Sequence, residues 1–285
     1  MVNLNRDRSR SRDKLLRECK TDMASPTNAT PPSKGDLQLP MVAYAEEKTG
    51  GDATVRLLGT RAYKRFHHTL NYERELSTLS ELPPHPCIVE LLETDRPSLT
   101  IVMNRYETDL MCALLDGAPV PTQLCAERVL QALVHCHRHH VVHRDVKPEN
   151  VLLDLDGGGL PVLSDFARAA YVSGPMDMLF GGTIEYAAPE ARQGICSPTN
   201  DAWSVGVLIY CLVEELFPFE QPLPAADEEL CFKAPAWAEH PRLQDVMPRL
   251  LCVDYAQRCS CASALRWISC ASVVPDKPWL RANQD

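Results

Sequence analysis

The sequence predicts an α+β fold of two lobes, in which a small strand-rich lobe precedes a larger and mainly helical one. Short apolar segments separated by turn residues fill positions 41–106, a pattern typical of strands. Beyond residue 107, apolar residues recur at helical spacing, as in 121–140 and 243–267. With 285 residues, 45% of them hydrophobic, the chain can bury the core that such a fold requires.

The first 40 residues differ from the rest in composition and charge. They hold eight Lys/Arg and five Asp/Glu without a periodic apolar pattern, so we predict a disordered, basic and Pro-rich tail at 1–40. The Arg-Ser-Arg-Ser-Arg run at 8–12 leaves nuclear import or RNA binding as alternatives. Since the net charge is −9, the remainder carries −12, which argues against nucleic acid as the main partner and favours basic protein substrates.

No segment predicts a membrane span or a secretory signal. The longest apolar stretch, 205–213, is far shorter than the roughly 20 residues that a bilayer requires, and the N-terminus carries Arg and Asp where a signal needs apolar residues. The 12 cysteines lack Cys-x-x-Cys spacing, which favours reduced thiols over disulfides or a zinc site. We therefore expect an intracellular monomer in the cytoplasm, the nucleus or both, with no membrane partner.

The strand-rich region contains five apolar segments, at 41–44, 55–58, 62–66, 88–92 and 99–103. Turns are predicted at Gly50-Gly51 and Gly59-Thr60, because glycine tolerates turn conformations that other residues avoid. Between the third and fourth segments, residues 71–82 carry leucines at a spacing of three. This spacing predicts a helix, with Asn71 as its cap.

Three helical segments are predicted in the larger region. The first is 121–140, with Val129, Leu133 and Cys136 on its inner face. The second starts at Asp201 and is buried, and the third is 243–267, with a break near Pro248. The histidines between 135 and 140 leave a metal site as an alternative to ordinary packing.

A polar run between two apolar segments, 141–142 and 151–153, carries the predicted chemistry. It reads His-Arg-Asp-Val-Lys-Pro-Glu-Asn at 143–150. A transferred phosphoryl group needs an acid to orient the attacking hydroxyl, a cation for developing charge and an oxygen ligand for a metal. Asp145, Lys147 and Asn150 supply these three groups in that order.

This run resembles the catalytic loop of eukaryotic-type protein kinases, and Lys147 followed by Pro148 is typical of the Ser/Thr branch. The segment 182–190, Gly-Thr-Ile-Glu-Tyr-Ala-Ala-Pro-Glu, resembles the end of the activation segment in the same branch. The resemblance implies a bilobal protein-kinase fold, with the N-lobe and hinge at 41–106, the C-lobe at 107–279 and a short tail at 280–285. It also implies that ATP and Mg²⁺ serve phosphoryl transfer to protein hydroxyls.

The resemblance assigns roles to individual residues. Lys64, paired with Glu75 or, as the alternative on the same helix, with Glu73, is expected to position the α and β phosphates, because a carboxylate holds the Lys in one direction and keeps it charged. Asp165, in Asp165-Phe166-Ala167, is expected to bind Mg²⁺ together with Asn150. Thr183 is expected to lie beside Asp145 and Lys147 and shape the site for a hydroxyl.

Two positions depart from the family pattern. Aligning Val55 with the valine that closes the Gly-rich loop leaves Lys48, Gly50 and Ala53 at the three glycine positions, so only Gly50 survives. Ala167 replaces the glycine after Asp165-Phe166. Because side chains limit how closely backbone amides approach phosphates, these changes leave a pseudokinase, a nucleotide-binding or non-catalytic scaffold, as the alternative.

The segment 101–106 resembles the hinge that meets adenine. It places Met103 at the gatekeeper position and the backbone of Asn104 to Tyr106 against the nucleotide. Its continuation, Arg-Tyr-Glu-Thr-Asp-Leu, resembles the hinge of herpesvirus-encoded Ser/Thr kinases, and a viral protein of this kind would act in the host cell.

Further residues are expected to support the site. Asp201 is expected to brace the catalytic loop, and Glu190 and Arg258 to form a structural ion pair. Glu149 is expected to attract a basic residue of the substrate. The usual phospho-acceptor positions, 178 and 179, hold Met and Leu with Asp177 beside them, so we expect activity without phosphorylation of this segment.

Overall fold

The computed structural model describes residues 46–153, 160–172, 182–219 and 229–269, and a five-stranded antiparallel sheet forms its N-terminal part. The order in the sheet is β1-β2-β3-β5-β4. The strands are β1 (Glu46–Thr49), β2 (Ala53–Leu58), β3 (Arg61–Phe66), β4 (Leu91–Asp95) and β5 (Thr100–Asn104). The predicted turns at Gly50-Gly51 and Gly59-Thr60 join the first three strands.

One helix, α1 (Thr69–Glu81), accompanies the sheet between β3 and β4. Its N-cap is His68 and not Asn71, so the predicted cap was wrong: Asn71 lies inside the helix and donates instead to Asp52. The strand predicted at 88–92 begins only at Leu91, because the preceding segment pairs with the C-terminal part through a parallel bridge from Ile88 to Leu163.

The C-terminal part is mainly helical, with one short sheet of two strands and one of three. Its helices are α2 (Leu110–Leu115), α3 (Thr122–Arg138), α4 (Pro198–Glu214), α5 (Pro241–Leu250) and α6 (Cys261–Ser269). Its strands are β6 (Thr108–Asp109), β7 (Val141–Val142), β8 (Val151–Leu153), β9 (Val162–Leu163) and β10 (Ala170–Tyr171). Val129, Leu133 and Cys136 are all buried on α3, which confirms the predicted inner face.

Helix α4 forms the centre of this part, since nearly all its residues are buried. It begins at Pro198, three residues before the predicted start at Asp201. Ser197 and Asn200 form a capping box, in which each side chain bonds to the backbone of the other, and Pro198 occupies the first turn. This local cap decides where the helix starts.

The predicted break near Pro248 lies a few residues later in the structure. Helix α5 continues through Pro248 to Leu250, and the interruption falls at 251–260 before α6. A proline so close to the end of a helix removes only one of the last hydrogen bonds, so it does not stop the helix at once.

Several predictions concern segments outside the described residues: the tail at 1–40, the strand at 41–44, the acceptor positions 177–179 and the tail at 280–285. The outer domain boundaries therefore stay predictions. Within the described segments, no helix is both long and apolar enough to cross a bilayer.

Candidate active site

The polar run 143–150 lies between β7 and β8. Its backbone includes a residue in the left-handed region, Arg144 at φ 71°, and Asp165 nearby has φ 64°. Such conformations cost energy in residues other than glycine and persist only where neighbours hold them. His143, fully buried, is one such neighbour, because its Nε2 lies 3.0 Å from the carbonyl oxygen of Ser164 and joins the two strained segments.

Asp145 is at the centre of a polar cluster that includes Lys147, Asn150 and Thr183, the three partners predicted from the sequence. The Nδ2 atom of Asn150 donates to its carbonyl oxygen at 2.7 Å and to its carboxylate at 3.1 Å. The backbone amide and hydroxyl of Thr183 donate to the other carboxylate oxygen at 2.9 and 3.0 Å. Lys147 donates to the Thr183 hydroxyl at 2.9 Å and lies 3.7 Å from Asp145.

The structure therefore brings an acid, a cation and a hydroxyl together from two segments, in which Asp145 and Thr183 are 38 residues apart. The carboxylate of Asp145 is held in one orientation by donors on both sides. A carboxylate fixed in this way can accept a hydrogen bond from an incoming hydroxyl, and an ammonium group beside it can meet negative charge that develops during transfer.

Asp201 supports this loop from below. Its carboxylate is fully buried and accepts hydrogen bonds from the backbone amides of His143 and Arg144, both at 2.9 Å, while His137 Nε2 lies 2.8 Å away. Burial opposes ionisation, but the bond to His137, the nearby imidazoles and the backbone amide keep the pKa of Asp201 below its usual value. A charged acceptor is thus fixed beneath the strained turn at Arg144.

Glu190 and Arg258 form a second support. The guanidinium donates to both carboxylate oxygens, at 2.6 and 2.9 Å, and both residues are buried. Arg258 also donates to the carbonyl oxygen of Thr199, just inside α4. This geometry is bidentate, the strongest form of such a pair, and it joins the segment after Thr183 to the core helices.

Lys64 contacts two acids at once, one from each part of the fold. Its Nζ lies 2.6 Å from Glu75 on α1 and 2.9 Å from Asp165. Burial alone would lower the pKa of Lys64, but Asp165 and Glu75 raise it above its ordinary value. Burial raises the pKa of Glu75 to about 7, whereas Lys64 offsets burial at Asp165 and lowers its pKa to about 2.

The segment predicted to be the hinge leaves the sheet at Asn104. Met103 is buried at the end of β5, and Asn104 is exposed. The amide of Arg105 donates to Thr60 and that of Glu107 to Leu153, both backbone carbonyls, so these contacts fix the path between the two parts. Tyr106 packs half-buried against the core between them.

The turn predicted to cover the phosphates is short and closed by its own backbone. The amide of Gly50 donates to the carbonyl oxygen of Ala53 at 2.9 Å, and Val55 pairs with Lys64 across β2 and β3. Sequence reasoning missed a contact at this turn, because Asp52 lies 2.5 Å from Arg168, three residues beyond Asp165. No motif or spacing in the sequence indicates that pair.

Asn150 and Asp165 fit a magnesium ion by the chemistry of their donor atoms. Carboxylate and amide oxygens are ligands that Mg²⁺ prefers, and Asn150 uses its amide nitrogen for Asp145, which leaves its oxygen as the ligand atom. Among the described residues, no group of three or more His, Cys, Asp and Glu could hold a metal. His135, from the histidine-rich stretch, instead lies 2.8 Å from the Pro83 carbonyl and stacks on His85.

This fold and this site together define a class of protein. Residues 45–268 match the protein kinase domain family. The chain therefore belongs to the protein kinase family, and its small sheet and helical C-terminal part are the two lobes of the protein-kinase fold.

Two relatives illustrate the similarity. CBL-interacting serine/threonine-protein kinase 9 of Arabidopsis thaliana is 29% identical over 227 residues, which cover 71% of this chain and 48% of the plant protein. Calcium/calmodulin-dependent protein kinase type II subunit delta of Oryctolagus cuniculus is 33% identical over 247 residues, which cover 79% of this chain and 46% of the rabbit protein. The chain spans about half the length of these relatives.

Proposed function

We propose that the protein transfers the γ-phosphoryl group of ATP to Ser or Thr hydroxyls of proteins. The observation that carries this proposal is the cluster of Asp145, Lys147 and Thr183, in which each residue contacts the other two. A scaffold that only binds partners has no need of a carboxylate oriented in this way. The similarity to a serine/threonine-protein kinase supports the same activity.

The geometry supports a role for each of these residues. Asp145 accepts a hydrogen bond from the acceptor hydroxyl and orients it toward the phosphoryl group. Lys147 lies beside it and stabilises the negative charge that grows on the transferred group. Lys64, held by Glu75, presents its ammonium group to the α and β phosphates, and Met103 and its neighbours meet the adenine.

Asn150 and Asp165 would hold the magnesium ion, which when bound neutralises charge on the β and γ phosphates. Lys64 lies 2.9 Å from Asp165, so the same carboxylate that would serve as a ligand also contacts the phosphate-binding Lys. The Lys, the acid and the phosphates are thus expected to share one compact region.

Basic proteins are the substrate class that the charges favour. One carboxylate oxygen of Glu149 is buried and has no hydrogen-bond partner among the described residues. Burial raises the pKa of Glu149 although Lys147 partly offsets this effect, so its ionised form would gain from a further cation. Since residues 41–285 carry a net charge of −12, a guanidinium or ammonium of the substrate would be attracted to Glu149.

The finer resemblance of the hinge to herpesvirus-encoded kinases has no support from the relatives, which are a plant and a rabbit protein. The alternative function, a pseudokinase that binds nucleotide or partners without turnover, rests on Ala167 and on the loss of two loop glycines. The retained cluster around Asp145 favours the hypothesis of an active kinase over this alternative.

The test compares phosphate transfer from labelled ATP to a basic and an acidic protein by wild type and by Asp145→Asn. We expect a loss of about a hundredfold or more, since a positioned acid or base contributes at least that factor. Asp116→Asn, which changes an exposed Asp on the same lobe, is the matched control and should retain activity. Equal signals from wild type and Asp145→Asn would overturn the catalytic proposal.

A second comparison tests the substrate class alone. Glu149→Ala should reduce the preference for Arg-containing peptides over neutral ones while phosphorylation of neutral peptides continues. An unchanged peptide profile would contradict the role of Glu149 and leave the catalytic proposal intact.

A further inference from the structure

Two ion pairs join the small lobe to the segment 165–168. The first, between Lys64 and Asp165, belongs to the site described above. The second, between Asp52 and Arg168 at 2.5 Å, has no counterpart in the motifs that the sequence displays. Asp52 lies in the turn between β1 and β2, which is the segment expected to cover the phosphates. The two pairs therefore lie on either side of the region expected to hold the phosphates, with Asp165 in one pair and the turn residue Asp52 in the other.

Asp52 fixes this turn to three elements. Its carboxylate accepts from Asn71 Nδ2 at 2.9 Å as well as from Arg168, and its carbonyl oxygen accepts from the amide of His67 at 2.9 Å. Asn71 is buried on α1, and His67 follows β3. The turn is thus tied to α1, to the end of β3 and to the segment after Asp165.

These ties compensate for a chemical deficit. A loop rich in glycine approaches phosphates through its own backbone freedom, whereas the segment 48–53, which contains this turn, has side chains at two of the three glycine positions. Asp52 also brings a negative charge to a turn that would face the triphosphate of ATP, and like charges repel. Arg168 neutralises that charge, and its side chain and that of Asp52 are only 31% and 38% exposed, so solvent screens the pair incompletely.

We propose that Asp52 is a positioning residue that holds the nucleotide-covering turn in place, and that Arg168 is the counter-ion that makes an acid compatible with bound ATP. This inference rests on the proposed function, because it assumes that ATP occupies the cleft. It predicts that the pair acts on nucleotide affinity more than on the chemical step.

The experiment measures KM and kcat for ATP by peptide phosphorylation, and the Kd of ATP by calorimetry on the full chain. Arg168→Ala should raise KM and Kd for ATP about three- to tenfold and change kcat by less than about twofold. This size is expected because the variant loses a partly exposed ion pair and leaves the repulsion between Asp52 and the phosphates uncompensated. Arg168→Lys, which keeps the charge, should stay near wild type. Asp52→Asn/Arg168→Ala removes the repulsive charge and should recover much of the lost affinity.

The matched control is Arg56→Ala. Arg56 pairs with Glu47 on the same sheet, and strand alternation places it on the face opposite Lys64, so it tests the loss of one positive charge alone. Its KM and Kd should equal those of wild type.

An unchanged or tighter Kd in Arg168→Ala would overturn the proposal, and so would a double variant as weak as the single one. A protein that binds ATP with this pattern of Kd values but transfers no phosphate would refute the proposed function and leave the role of Asp52 standing. Thermal melting of each variant separates loss of affinity from loss of fold.

Discussion

Arg258→Met should strongly destabilise the protein, because it leaves Glu190 buried without its cation. The two residues are only 4% and 3% exposed, and the pair is bidentate at 2.6 and 2.9 Å. Removing one partner of a buried pair costs about 3–5 kcal/mol, far above the value of about 0–1 kcal/mol for a surface pair. Arg258 also donates to the Cys252 carbonyl oxygen, so a backbone acceptor loses its donor in the same variant.

This cost converts into a measurable temperature shift. A change of 1 kcal/mol moves Tm by about 2–4 °C in domains of about 150–250 residues, so we expect Tm to fall by about 6–20 °C. Circular dichroism during heating is the assay. Glu190→Gln/Arg258→Met should be more stable than Arg258→Met alone, because no buried charge is left unpaired and the Gln oxygen can still accept from Asn200.

Arg266→Met provides the comparison for loss of an arginine as such. Arg266 is exposed on α6 and donates to the hydroxyl of Ser263, so the Tm of this variant should stay within about 2 °C of wild type. The buried-charge reasoning is wrong if Arg258→Met lowers Tm no more than Arg266→Met does. It is also wrong if the double variant has the lowest Tm of the three.

Two more predictions concern Glu75 and Gly206. The pKa of Glu75 is raised to about 7, so the folded protein binds this proton more tightly than the unfolded chain, and the free energy of unfolding should decline as pH rises from about 4.5 to 7. The kcat/KM for ATP should instead fall as pH drops below 7, because protonated Glu75 holds Lys64 less strongly. The variant Glu75→Gln should lose this pH dependence. Gly206→Ala should lower the midpoint of urea unfolding, because the added Cβ would lie 2.8 Å from Leu251 Cδ2 and 3.0 Å from Leu250 Cβ. Such overpacking costs about 1–3 kcal/mol, whereas the gain in helix propensity is about 1 kcal/mol at most. An unchanged midpoint would contradict this prediction.

The sequence predicted which polar side chains come together better than it predicted where elements begin. Asp145, Lys147 and Asn150 lie within six residues of one motif, so their proximity follows from the chain itself, whereas Thr183 was expected beside them only from the resemblance. The start of α4 depends on the capping box of Ser197, which precedes the apolar run by several residues. A search that begins from apolar periodicity places that start too late.

Contacts between distant side chains without a motif were beyond sequence reasoning. Asp52 and Arg168 are 116 residues apart, and each alone resembles an ordinary surface charge. Asn71 was predicted to be a cap because it precedes spaced leucines, yet tertiary structure gives it Asp52 as an acceptor and begins the helix two residues earlier. The tertiary contact with Asp52 therefore outweighs the local preference of Asn71 for a helix cap.

Asp201 makes the loop 143–150 part of the cooperative unit of the larger lobe. The amides of His143 and Arg144 donate to a carboxylate that belongs to the most buried helix, so they can exchange with solvent hydrogen only when that helix moves away. The loop cannot loosen by itself as a surface loop can. Heat inactivation and global unfolding should accordingly be one event, with the order of the active site lost only when the core is lost.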